Sequence, residues 1–242
     1  MEKGDTEDLL FEVSDDVNRY LNIKELTTVS TVSTNTFFRG LNNMKFYRYF
    51  PYENGEEILR TLENKEEVKL SDIKGSSNLN FGDKFGWTPL DLAVKNNNIK
   101  MVKLLIKEGA DVNMSEVTPL HYAVEDNNIK IVKFLIKEGA NINAIARHIR
   151  DTPLHRAVGS NKIEVVKLLI EEGANVNIAD IRGITPLLYA VYNDNGTEIS
   201  ELLINSGANV NSVDEDWWTP LRLAVKYDNT EMIELLVGAG AL

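Results

Sequence analysis

One tripeptide, returning five times, constrains this chain more than any other feature. Thr-Pro-Leu begins at Thr88, Thr118, Thr152, Thr185 and Thr219, at spacings of 30, 34, 33 and 34 residues. After each of the first four comes Gly-Ala, a polar residue, Val or Ile, and Asn, at Gly109–Asn113, Gly139–Asn143, Gly173–Asn177 and Gly207–Asn211. A unit this short cannot bury an apolar face alone, so a fixed period of this length requires neighbours to stack.

The chemistry inside one period says how. Thr152 suits an N-cap, its hydroxyl accepting a free backbone N–H. Pro153 follows at the first helical position, where its missing N–H costs nothing. Leu154, Ala157 and Val158 fall at i, i+3 and i+4, one buried stripe on a short helix. After Gly159-Ser160-Asn161, the residues Ile163, Val166, Leu169 and Ile170 repeat that spacing on a second helix, and Gly173 suits its C-terminal stop. An extended finger then leads to the next threonine. Thr-Pro-Leu-His at the head of a period near 33 resembles the ankyrin repeat, over about 165 of 242 residues. The resemblance implies an all-α repeat solenoid, each unit a helix-turn-helix plus a β-hairpin finger, with an irregular N-terminal segment. The expected limits are 1–54 for that segment, 55–82 for a degenerate capping repeat, and five repeats at 83–113, 114–143, 144–177, 178–211 and 212–242.

Composition narrows the class. Without a cysteine there is no disulfide framework, zinc ribbon or thiol nucleophile, which points to a reducing, cytoplasmic compartment. No apolar run reaches the ~20 residues that span a bilayer, and the first residues do not form a signal peptide. The formal net charge of −11 disfavours phosphate backbones and anionic membranes as partners.

Departures from the period mark where recognition is expected. The second finger has only Met114–Val117, against seven residues at 178–184, and the third has eight, 144–151, carrying Arg147, His148 and Arg150. In proteins that this chain resembles, residues flanking Thr-Pro-Leu face the partner. Here those positions hold Phe85, Trp87, Trp218 and Arg182 in the fingers, and Glu125, Asp126, Tyr192 and Tyr227 at the ends of the first helices. Large aromatic side chains anchor interfaces because they bury much area with few rotors. Trp87 and Trp218, directly before threonine, stand ahead of Trp217, which replaces the usual glycine. His148 and Arg150 complete the expected partner-binding set. Packing of the finger tryptophans on their own neighbours is the competing expectation.

Chemistry beyond binding finds no foothold. His121 and His155 share one slot in adjacent repeats, too far apart at ~10 Å to ligate one metal, and the resemblance implies local hydrogen bonds to threonine and finger backbone instead. No phosphate loop, nucleophile elbow or zinc-protease motif occurs. The expectation is therefore no catalytic residue, no cofactor and no metal. Asn113 resembles the target of an asparaginyl hydroxylase that modifies ankyrin repeats.

The flanks read differently. Residues 1–16 carry seven acids against Lys3, and residues 37–52 hold seven of the sixteen Phe and Tyr, interleaved with Arg39, Lys45 and Arg48. That stretch suits a lid over the first repeat, or a stacking surface for single-stranded nucleic acid. At the other end Gly238–Leu242 stops where a finger would begin, so the chain reads as a fragment or an unfinished array whose last face self-associates. The expected function is a non-catalytic scaffold gripping another protein. The alternatives are nucleic-acid binding through 37–52 and self-association through the C-terminal repeat. Resemblance to ankyrin proteins of intracellular bacteria and symbionts implies an effector delivered into a host cell.

Overall fold

The computed structural model describes residues 79–242 except 84, 85, 194 and 195. The chain divides into two units at Phe50/Pro51, and only the second contains described residues. The expectations for 1–54, for most of the cap at 55–82 and for Phe85 lie outside them.

Five helix pairs follow one another. They are α1 (Pro89–Lys95) and α2 (Ile99–Lys107), α3 (Pro119–Glu125) and α4 (Ile129–Lys137), α5 (Pro153–Gly159) and α6 (Ile163–Glu171), α7 (Pro186–Tyr192) and α8 (Thr197–Asn205), and α9 (Pro220–Lys226) and α10 (Thr230–Gly238). Every first helix starts with proline after a β-region threonine. The hydroxyls of Thr88, Thr152, Thr185 and Thr219 accept from the amide three residues on, as the sequence leads one to expect. Thr118 lacks that bond, since the His121 amide donates instead to the Thr118 carbonyl at 3.0 Å, while the Thr118 hydroxyl pairs with His121 Nδ1 at 2.9 Å. Asn98, Asn128 and Asn229 cap second helices in the same way, accepting from Met101, Ile131 and Met232.

Between the helices of a pair the chain turns through one left-handed residue: Asn97, Asn127, Asn161 or Asp228, at φ 53 to 56°. Asn and Asp tolerate this conformation better than other side chains. The fourth pair differs, as its extra residue foretells. Asn193 is extended there and Gly196 precedes α8, so close to α7 that a Cβ on it would lie 1.8 Å from the Ala190 carbonyl oxygen.

The core runs unbroken through the stack. Leu90, Leu120, Leu154 and Leu187 occupy one slot and Leu105, Leu135, Leu169 and Leu203 another, all buried. Asparagines stitch the Gly-Ala turns together. Asn113 Oδ1 accepts from the Asn141 amide at 2.8 Å and its Nδ2 donates to the Gly139 carbonyl at 3.1 Å. Asn177 does the same towards Asn209 and Gly207, and Asn143 accepts from Asn175. This ladder is why Asn recurs.

The fingers differ from the expected β-hairpins, for the described residues contain no strand. Each long finger closes through a single level of pairing, such as Asp180 N–H to Ile184 O at 2.9 Å, and one backbone bond joins it to the next, Ile181 N–H to Ile149 O at 2.9 Å and Glu215 N–H to Arg182 O at 2.9 Å. Seven or eight residues, several spent on the turn, leave no length for a ladder. Buried aspartates supply further acceptors: Asp180 takes the amides of Arg182 and Ile184, and Asp214 those of Asp216 and Trp218. On α9, Val225 is 58% exposed where Val94, Val124 and Val158 are buried by the following pair.

Candidate functional site

Fingers and first helices form one surface, and its side chains gather into three groups. At one end Trp87 stacks on Tyr122 of the next repeat, centroids 4.6 Å apart, with Lys95 Nζ 4.2 Å above the indole. Lys95 stands eight residues after Trp87, directly after Val94, the last buried residue of α1, and its amine lies over the ring. The spacing recurs at Trp218 and Lys226, where Nζ lies 4.5 Å from the ring and the Arg222 guanidinium covers it at 5.1 Å. Cation–aromatic contacts of this kind contribute roughly 0.5–1 kcal/mol each at exposed sites. Beside the second group, Tyr192 and Tyr227 meet edge to face at 6.4 Å, and the Tyr192 hydroxyl donates to Asp214 at 3.2 Å. Burial and the Asp214 charge push the Tyr192 phenol up to about 12.

The middle group is ionic. Arg156, on α5 in the slot that holds Tyr122 and Tyr189 in its neighbours, donates to Asp151 at 2.7 Å and to Glu125 at 3.2 Å. Its side chain is mostly covered, and that of Asp151 is buried. Gly159 stands where neighbouring repeats carry Glu125 and Tyr192, so a recess of about 320 Å³ opens there. Ile149, Asp151, Arg156, Gly159 and Tyr189 are among the residues that line it. A Cβ on Gly159 would meet only the Tyr189 ring, at 3.5 Å. Asp126, next to Glu125, is exposed, its carboxyl raised by partial desolvation and by the Glu125 charge.

His121 and His155 serve the stack. His155 Nδ1 accepts from Thr152 and its Nε2 donates to the Ile184 carbonyl of the next finger at 3.0 Å, while His121 reaches Asp151 O at 3.3 Å. Burial, then the Arg156 charge, pulls His121 down to about 4, and burial lowers His155. His121 and His155 are therefore neutral bridges, as the resemblance implied. Asp91 occupies the same slot in the first repeat, accepting from Thr88 and Ser115, and burial raises it to about 6.

The expected contact residues that the structure describes disperse accordingly. Trp87 and Trp218 are half-buried within their stacks, and Tyr192 and Tyr227 remain partly exposed. Glu125 is exposed but paired with Arg156. His148 approaches Glu116 at 3.7 Å beside the Arg147–Glu116 pair. Arg150 and Arg182 project from neighbouring fingers, Arg150 at φ 60°. Trp217, ranked below the other tryptophans from sequence, is 73% exposed at φ 60°, in the finger-tip slot that Gly86 and Gly183 occupy elsewhere. Arg156 went unremarked because its role appears only once Glu125 and Asp151 are seen beside it. Its slot, tyrosine on either side, was the available signal.

Comparison with known proteins agrees with this geometry. The family description Ankyrin repeats (3 copies) matches residues 53–146, 115–180 and 154–241. Fowlpox virus (strain NVSL) ankyrin repeat protein FPV230 is 40% identical over 68 residues, which are 28% of this chain and 34% of the relative. The match thus spans about a third of that relative's length, and the relative is viral rather than bacterial. With capped helix pairs, Gly-Ala turns and asparagine ladder matched over most of its length, the chain belongs to the ankyrin repeat family.

Proposed function

We propose that this protein is a non-catalytic scaffold whose partner, another protein, docks on the fingers and first helices. Ankyrin repeats are generally protein–protein interaction modules, and among the described residues no helix is long and apolar enough to cross a membrane. The observation that carries the choice of face is Trp217. A large indole is held in a conformation that disfavours every L side chain, it makes no ring contact among the described residues, and it points its area at solvent. Aromatic area of this kind is what binding hot spots are made from. Trp217 stands next to the Trp218–Arg222–Lys226 stack, so partner contact there would span rigid, pre-ordered side chains. Trp87, Tyr192, Trp218 and Tyr227 extend the anchoring, and Glu125, Asp126, His148, Arg150 and Arg182 set charge preference. Phe85, outside the described residues, stands two positions before Trp87 in the sequence.

Affinity capture from a eukaryotic lysate with the intact chain, Trp217→Gly and Gly159→Leu tests this. A protein held by the intact chain and lost with both variants places the contact across repeats three to five; one held equally by all three removes this face. The effector role is the biological form that this binding takes if the captured protein is a host protein. Nucleic-acid binding through 37–52 predicts instead an RNA or single-stranded DNA signal that falls steeply with salt and is indifferent to both substitutions.

A further inference from the structure

On the opposite side of each repeat, the second helices carry a charge pattern that the fold satisfies only in part, through the Lys167–Glu198 pair and the contact of Lys103 with the Phe134 ring at 5.5 Å. Lys100, Lys103 and Lys107 of α2 fall at i, i+3 and i+7, facing away from buried Met101, Val102 and Leu105. Lys130, Lys133 and Lys137 repeat them on α4. All six are exposed, and none makes an ion pair among the described residues. The first two of these positions hold Glu198 and Glu201 on α8 and Glu231 and Glu234 on α10, again exposed. Between the blocks α6 is mixed, and there Lys167 reaches Glu198 of the next helix at 3.1 Å.

That ion pair shows which positions meet between neighbours: the fifth residue of one second helix and the second residue of the next. At the outer two junctions the same places hold like charges, Lys103 with Lys130 and Glu201 with Glu231. Neither block neutralises itself. We infer that this chain associates with itself, the lysine block of α2 and α4 on one copy docking against the glutamate block of α8 and α10 on another. Both blocks are built by the same stacking of second helices, so their charged rows have matching spacing. A polyanion or an anionic membrane would find complementary charge over two repeats and repulsion from the glutamate block and the net charge of −11. A second copy meets complementarity at the block itself. Exposed ion pairs are individually weak and are screened within about 8 Å at physiological ionic strength, so the association is salt-sensitive.

Sedimentation of the full chain across concentration, at low salt and at about 0.5 M salt, reads this out. The expected result is concentration-dependent association at low salt that disappears at high salt. Lys103→Glu/Lys133→Glu and Glu201→Lys/Glu234→Lys should each weaken it on the order of tenfold. Mixing the two variants should restore it between unlike chains. All four positions are solvent-exposed, and matched thermal melts verify folding. A monomer at every salt, or no restoration on mixing, overturns the inference. So does association that ignores both charge reversals and is lost with Val225→Lys, which assigns it to the end face of α9. Binding of the lysine variant's parent to phosphatidylserine vesicles without self-association would overturn it in favour of a membrane.

Discussion

Replacing Trp217 by glycine should make this protein more stable while making it bind worse. Trp217 sits at φ 60°, where Gly183 occupies the equivalent place at φ 75°. An L side chain in this region costs roughly 1–2 kcal/mol, and glycine loses about 0.4–1 kcal/mol through its freer unfolded chain. Little packing offsets the exchange, since the indole is 73% exposed. The backbone bonds survive it: the 217 amide donates to Asp214 O at 3.1 Å, and the 217 carbonyl accepts from Arg222 at 2.7 Å. The net gain is about 0.5–1 kcal/mol, or roughly 1–4 °C in Tm for a unit of this size. Gly183→Ala is the control in the other direction. Its Cβ would lie 3.2 Å from Asp214 Cα and 3.3 Å from Val213 O, so it should lose about 1–2 kcal/mol or more. Urea unfolding at pH 7.5 and thermal melts measure both. A Trp217→Gly protein less stable than the parent would refute the reasoning, because the indole would then be serving the fold rather than a partner.

Other expectations concern buried groups. Asp91→Asn should stabilise by about 1 kcal/mol at pH 7.5 and lose that advantage as pH falls from 6 towards 4. The folded pKa of about 6 exceeds the unfolded 3.8, so protonation relieves the cost of burying the charge in the parent. His121 acts oppositely, since its folded value of about 4 lies below the unfolded 6.5 and its stability is lost as pH falls through that window; paired pH-dependent unfolding of parent and Asp91→Asn separates the two. His155→Leu should cost about 2 kcal/mol in urea unfolding by orphaning the Ile184 carbonyl, although Leu188 fills the same slot one repeat later. Gly196→Ala should cost more than about 2 kcal/mol, because its Cβ would overlap the Ala190 carbonyl, and a melt at or above the parent's would contradict that placement.

How much was legible beforehand follows from the range of each interaction. Threonine caps, N1 prolines, Gly-Ala stops and the i, i+3, i+4 stripes act within one or two turns, so they are written contiguously, and repetition confirms them five times over. Repeat architecture was therefore open to a reader of residues alone, and the bridging histidines through the family resemblance. The finger-and-helix surface was foreseeable as a region, since it is where side chains flank the signature. What each side chain does there was settled by neighbours a full repeat away. Trp87 is occupied because Tyr122 lies beneath it, Arg156 because Glu125 and Asp151 flank it, and the recess exists because Gly159 faces Tyr189. Trp217 looked secondary until its backbone angle and exposure were known, and the lysine and glutamate blocks take on meaning only once stacking sets like beside like. The repeat and its caps are written in contiguous residues, because the interactions that make them are local. Which polar and aromatic groups are already satisfied emerges only in the folded stack, because satisfaction depends on partners that stacking brings within a few ångströms.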